Sequence, residues 1–244
     1  MEITSGHLLD GQLVYAQPAN GYRTGIEPVL LAASVPARAG QTVLELGTGA
    51  GAGLLCLARR LPQIAGVGVE RDPEMAELAR RNVASNGLQD RLSILTGDIL
   101  TALPAAGRFD HAFANPPWHA TPGTESPNPA KEAAKRAAPG DLSAWAGVMA
   151  AHLAQRGTAT VILPAASMAD GVRALSDRGC GAISLLPLWP MAGRDARLIL
   201  LQGTRGAAGP CRVLSGLVLH PPDGGYTEAA DSILRQGLGT PLAT

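Results

Sequence analysis

Thr42-Val43-Leu44-Glu45-Leu46, an apolar and partly β-branched run, passes directly into Gly47-Thr48-Gly49-Ala50-Gly51-Ala52-Gly53 and then into the helical stretch Leu54 to Leu61. Few local patterns restrict a fold so tightly. A buried strand, a turn that needs positive φ, and a helix start must follow one another within about twenty residues, which is the opening unit of an α/β sheet. Glycine at such a turn lets a ligand approach the main chain without meeting a Cβ, and the free N–H groups of the helix start favour an anion. Read as Gly47-x-Gly49-x-x-Ala52, the loop also fits the looser dinucleotide fingerprint, so on its own it does not name a ligand.

The alternation continues along the chain. Ile64 to Val69 reads as a second strand ending in Glu70, and Leu92 to Leu95 as a third leading to Gly97-Asp98-Ile99. Phe109 to Ala114 is a fourth and Thr158 to Leu163 a fifth. Between them, Glu74 to Asn86 carries Met75, Leu78, Ala79 and Val83 on one face, with Pro73 at its start and Asn86-Gly87 at its end, which predicts an amphipathic helix. Ser143 to Gln155 and Met168 to Arg178 are read as further helices, and Ile183 to Leu188 and Arg197 to Gln202 as a closing strand pair. Strands alternating with helices predict a doubly wound, Rossmann-like α/β fold. The composition agrees: the chain is 46% hydrophobic but only 3% aromatic, so its core is built from small aliphatic residues, as suits a parallel sheet buried on both faces. Ahead of the sheet, Leu8 to Pro18 turns at Asp10-Gly11 and predicts a small hairpin, followed by a helix from about Ile26 to Val35. The expected organisation is an N-terminal extension over residues 1–38 and one α/β domain over 39–244.

Glu45, Glu70, Asp98 and Asn115 all fall at carboxyl ends of predicted strands, where open α/β sheets bind ligands. Glu45 beside the loop suits an ammonium, directly or through water, and would repel a phosphate. Glu70 lies about twenty residues past the glycines, where a carboxylate grips a ribose diol. Asp98 is placed to accept from an adenine amino group while Ile99 packs on the ring. Each acid taken alone also reads as a helix cap or a solvated loop charge.

Asn115-Pro116-Pro117-Trp118 closes the fourth strand. It offers a side-chain carbonyl, a main-chain carbonyl in a turn stiffened by two prolines without N–H groups, and a flat stacking surface. Those parts hold a planar exocyclic amine, and they suggest methylation of such a nitrogen. A plain strand-to-loop turn with a buried tryptophan is the bland alternative.

With these motifs in place, the segment from Thr42 to Leu163 resembles the class I S-adenosylmethionine-dependent methyltransferases that carry an Asn-Pro-Pro-aromatic motif. The whole chain is similar to the branch that includes the bacterial tRNA(Val) adenine-37 N6-methyltransferases. Leu9-Asp10-Gly11, Gln17-Pro18, the run Gly21-Tyr22-Arg23-Thr24-Gly25-Ile26-Glu27-Pro28, Leu217-Val218-Leu219-His220 and Tyr226-Thr227 carry that wider likeness. It departs at Glu27, where the branch often has Asp, and at Trp118, where Tyr or Phe is commoner. The resemblance implies a seven-stranded sheet with a reversed last strand, and S-adenosyl-L-methionine held by Glu45, Gly47, Thr48, Gly49, Gly51, Glu70, Arg71, Asp98, Ile99, Asn115 and Thr24. It further implies catalysis at Asn115, Pro116, Pro117 and Trp118 on adenine N6 in tRNA or rRNA. Arg23, Trp118, His119 and the basic residues Lys131, Lys135 and Arg136 of the Pro- and Ala-rich stretch Thr121 to Gly140 are the expected RNA contacts, a solvated helix being the alternative for that stretch.

Other acceptors stay open: guanine N2, DNA, or a protein glutamine amide. So do two readings of another class, a nicotinamide-dependent oxidoreductase and a non-catalytic RNA-binding module. Lys+Arg and Asp+Glu both number 20, so no overall charge draws the chain to nucleic acid. Cys56, Cys180, Cys211 and the five histidines show no metal spacing, and no metal is expected. Neither a signal peptide nor a membrane-length apolar run is legible, so the expected location is cytoplasmic.

Overall fold

The computed structural model describes residues 1–20, 23–103, 108–117 and 141–243. A two-stranded antiparallel hairpin opens the chain, β1 (Ile3–Leu8) and β2 (Leu13–Pro18), followed by the short helix α1 (Glu27–Ala32). The remaining strands form one sheet: β3 (Thr42–Leu46), β4 (Ala65–Glu70), β5 (Leu92–Thr96), β6 (Phe109–Ala114), β7 (Leu153–Pro164), β8 (Cys180–Met191), β9 (Leu198–Arg205), β10 (Arg212–Val213) and β11 (Leu217–His220). The helices are α2 (Ala52–Arg60), α3 (Pro73–Ser85), α4 (Asp141–His152), α5 (Met168–Ser176) and α6 (Glu228–Gln236).

Strand order is β8-β9-β7-β6-β3-β4-β5, with β9 antiparallel to both neighbours and the others parallel. This is the seven-stranded sheet with a reversed last strand. Two short strands, β10 and β11, extend it beyond the expectation by pairing in parallel with the outer edge of β8.

Side chains alternate across the sheet with the two-residue period of a strand. Val43, Phe113, Ile162 and Leu200 join a core with the apolar faces of α1, α2, α3 and α6. Their neighbours Leu44, Leu46, Ala112, Ala114, Val161, Leu163, Ile199 and Leu201 join a second core under α4 and α5. Both faces are therefore covered, which is why the strands read as continuous apolar runs.

Several local bounds shift: the hairpin begins at Ile3 instead of Leu8, and the helix expected to reach Val35 ends at Ala32. The helix expected to reach Gln155 stops at His152, and β7 begins at Leu153. Residues 153–157 flank an irregularity where the β6 partner jumps from Phe109 to His111, and Arg156 takes φ +68°. The closing pair is also longer than its apolar core, because β8 starts at Cys180 and runs on through Pro190. Proline donates no ladder bond and reads as a strand break. α3 matches its signals closely: Asp72 caps it by accepting from the Glu74 and Met75 N–H groups, Pro73 occupies its first turn, and Gly87 leaves it with φ +66°.

Candidate active site

Parallel pairing fixes where the functional tips meet. Leu46 pairs with Val69 on one side and Ala114 on the other, and Glu70 pairs with Thr96. The residues that follow, Asn115, Gly47, Glu70 and Gly97-Asp98, thus line one rim in that spatial order, spanning three strand spacings or roughly 15 Å. The chain winds from β3 to β4 and β5 in one direction and then returns to place β6 on the other side of β3. Gly47 and Asn115 flank that topological switch point, where doubly wound sheets open a ligand crevice.

The glycine loop is held by acids from behind. Gly47, Gly49 and Gly51 take φ +65°, +56° and +89°, conformations that side-chain-bearing residues seldom adopt. A Cβ on Gly47 would lie 2.6 Å from the tip of the Trp145 ring, contributed by α4. A Cβ on Gly53 would lie 2.1 Å from Glu45 Oε1. Glu45 Oε2 accepts from the Thr48 hydroxyl and, at 2.9 Å, from the Leu54 N–H in the first turn of α2. With only 4% of its surface exposed, Glu45 supports the loop from inside. Burial pushes its carboxyl up to about 8, against the Thr48 and Leu54 hydrogen bonds and with the Glu70 charge adding to the rise.

Glu70 is half-buried at the tip of β4. Its Oε2 accepts from the Gly49 N–H at 2.9 Å and its Oε1 from the Asp72 N–H at 2.9 Å. A carboxylate offers about four acceptor sites. One is thus committed to the glycine loop and one to the turn that opens α3, which leaves two. Asp98 is exposed and accepts from the Leu100 N–H at 2.8 Å, opening a turn that leaves Ile99 packed on the second core. Arg71 is exposed just past β4. Thr24 is held by Gln17, whose Oε1 accepts its N–H at 3.0 Å, and by Tyr15, whose hydroxyl lies 2.8 Å from its Oγ1. Arg23 beside it is exposed. Asn115 and Pro117 are half-buried and Pro116 buried. Trp118, His119, Lys131, Lys135 and Arg136 lie outside the described residues.

The donor set discriminates between ligands. Two amides that a pyrophosphate would need, Gly49 N–H in the loop and Leu54 N–H at the helix start, already point at carboxylates. No Lys or Arg stands within the loop itself. A rim of acceptors suits a cation and ribose hydroxyls, and it disfavours a dinucleotide.

Sequence reasoning passed over two residues here. Trp145 read as an ordinary helix residue, and only its packing on Gly47 reveals it as a wall of the loop. Asn82 is 2% exposed, and its amide reaches both β2 and the glycine loop.

The fold is a Rossmann-like α/β sheet with its crevice at the switch point, and residues 43–140 match the family model described as "Methyltransferase domain". Within that class, the chain is similar to proteins named tRNA1(Val) (adenine(37)-N6)-methyltransferase. That of Shewanella amazonensis is 28% identical over 216 residues, covering 88% of this chain and 91% of its own length. That of Actinobacillus succinogenes is 34% identical over 145 residues, covering 59% of this chain and 61% of its own length. Among solved structures, one described as a predicted O-methyltransferase from Agrobacterium tumefaciens superposes with a TM-score of 0.73 at 22% identity, over 88% of this chain and 97% of that one.

Proposed function

We propose that the protein is an S-adenosylmethionine-dependent methyltransferase whose acceptor is an exocyclic amino nitrogen, adenine N6 in tRNA. The observation that carries this reading is the pairing of Leu46 with Ala114, which sets the glycine loop and Asn115-Pro116 side by side across the switch-point crevice. The named relatives supply the acceptor class: proteins similar to this chain over most of its length carry a tRNA adenine N6 name.

Glu70 holds the ribose hydroxyls with the acceptor sites that Gly49 and Asp72 leave free. Asp98 and Ile99 receive the adenine, and the loop backed by Glu45 faces the charged end. Bound there, S-adenosylmethionine supplies an electrophilic methyl group. The residues that follow β6 prepare the acceptor. An aromatic amine is a poor nucleophile because its lone pair is delocalised into the ring. The Asn115 side-chain oxygen and the Pro116 carbonyl accept its two hydrogens, which favours the pyramidal nitrogen and the positive charge that develops on it. The amine then gives up one proton to water, so the chemistry asks for no strong base. Trp118 stacks on the base, which must leave its own stack to reach the crevice.

The reading is tested by offering radiolabelled-methyl S-adenosylmethionine with total tRNA, rRNA, DNA and protein fractions, then analysing nucleosides from the labelled fraction. N6-methyladenosine in tRNA is expected. Label confined to N2-methylguanosine, DNA or protein would contradict the acceptor assignment.

A further inference from the structure

Two asparagines one turn apart, Asn82 in α3 and Asn86 at its C-cap, treat β2 as though they were a strand beside it. Asn86 Oδ1 accepts from the Val14 N–H at 3.0 Å and its Nδ2 donates to the Val14 carbonyl at 2.8 Å. Asn82 does the same two residues on, accepting from the Ala16 N–H at 2.9 Å and donating to the Ala16 carbonyl at 2.8 Å. The i,i+4 spacing on a helix, 6 Å of rise, matches the two-residue spacing of a strand's same-side groups closely enough for both pairs to form. In this way the N-terminal hairpin is secured to the α/β body by side-chain amides instead of a sheet ladder.

The two residues differ in one bond. Asn82 Nδ2 also donates to the carbonyl of Ala50 at 2.9 Å, inside the glycine loop, while Asn86 Nδ2 donates to the carbonyl of Asn82 within its own helix. Asn82 is buried and Ala50 is 3% exposed, so water does not replace that bond. Ala50 stands between Gly49 and Gly51, both at positive φ, in a segment with little conformational restraint of its own. Its carbonyl is the point at which the loop is tied to α3. The same amide continues to Ala16, whose strand leads to Gln17 and, through it, to the Thr24 N–H.

We infer that Asn82 is a positioning residue for the cofactor: it fixes the glycine loop through Ala50 and makes the N-terminal hairpin a rigid backing for it, without itself touching the ligand. The inference rests on the reading of residues 47–51 as the S-adenosylmethionine site. Asn86 provides the internal control, since its loss removes equivalent hairpin bonds and leaves the loop contact intact.

The test measures S-adenosylmethionine affinity by calorimetry, and acceptor KM and kcat, for the wild type, Asn86→Ala, Asn82→Ala and Asn82→Asp. Asn82→Asp keeps the side-chain volume and the acceptor for the Ala16 N–H while removing both donors, so it serves if the alanine variant folds poorly. Both Asn82 variants are expected to raise the cofactor Kd at least tenfold with acceptor KM within twofold of wild type, and Asn86→Ala to leave the Kd within twofold. Asn82 variants that bind the cofactor like wild type, or an Asn86 variant that weakens it equally, would overturn the inference alone. A wild type that does not bind S-adenosylmethionine would overturn the site reading, and this inference with it.

Discussion

Glu45 is the residue at which charge and shape meet most directly. Its folded carboxyl titrates near 8 because it is buried, whereas an exposed carboxyl titrates near 4.5. The folded state therefore keeps a proton that the unfolded chain has already lost between those values, and the Glu45 contribution to stability falls as pH rises through that window, by about 1.4 kcal/mol per pH unit. Glu45→Gln should remove that slope in thermal melts taken at pH 6.5 to 8, above the range in which His111 acts in the opposite sense. A cation bound at the loop favours the ionised carboxyl, so cofactor affinity should strengthen from pH 6 to 7.5 in the wild type and stay flat in Glu45→Gln. A flat wild-type profile would disconnect Glu45 from the ligand. The glycines give a second prediction. Gly47→Ala pays both a positive φ and a collision with Trp145, while Gly49→Ala pays the positive φ, about 1 to 2 kcal/mol, and meets only Met75 Cε at 3.9 Å. Gly47→Ala should weaken cofactor binding more than Gly49→Ala, and adding Trp145→Phe should recover part of the loss. Equal defects in the two alanine variants would contradict the packing argument.

At the scale of elements, the end of the sheet opposite the rim is held by a polar cluster. His111 is 6% exposed, with Nε2 2.9 Å from Gln41 Oε1 and Nδ1 2.8 Å from Thr158 Oγ1. An amide oxygen only accepts, so Nε2 carries the hydrogen and Nδ1 accepts from the Thr158 hydroxyl. This ties β6 and the middle of β7 to the residue ahead of β3. Burial, with Asp110 opposing and Arg38 and Arg60 assisting, holds the imidazole down to about 4. The unfolded chain binds the proton first as pH falls, so this contribution is intact above pH 6.5 and is lost progressively toward pH 4, reaching about 3 kcal/mol. Acid unfolding monitored by circular dichroism should steepen across that interval in the wild type and less so in His111→Gln. The elements also show what a sequence can and cannot disclose. Strand tips followed by Gly, Glu or Asp were legible because turns and ligand acceptors use few residue types. Pro190 concealed the far end of β8, and β11 went unread because its three apolar residues carry too little periodicity; α6, as long as α5, also went unread. Asn82 was invisible as a site residue for another reason: its partner Ala16 lies 66 positions away, and a helical asparagine ahead of Asn86-Gly87 looks like a solvated face nearing its stop.

For the molecule as a whole, the hairpin, the loop and the β6 corner form a connected set in which the positions of the glycine-loop residues were largely readable in advance, and the described part of the corner ends at Pro117. Glu70, Asp98 and the glycines sit at the rim where their spacing placed them. Glu45 was read correctly for position, yet its engagement with α2 needed the fold, because Leu54 is nine residues away and across a turn. The central claim is that Asn115 prepares an amino nitrogen beside a cofactor held at the glycine loop. The most direct measurement is single-turnover methyl transfer to tRNA at saturating S-adenosylmethionine by the wild type and Asn115→Ala, with cofactor binding measured on both. The account predicts a rate at least a hundredfold lower in the variant while it still binds the cofactor, in line with losing one preorganised contact to developing charge. Transfer at the wild-type rate by a cofactor-bound Asn115→Ala variant would contradict it.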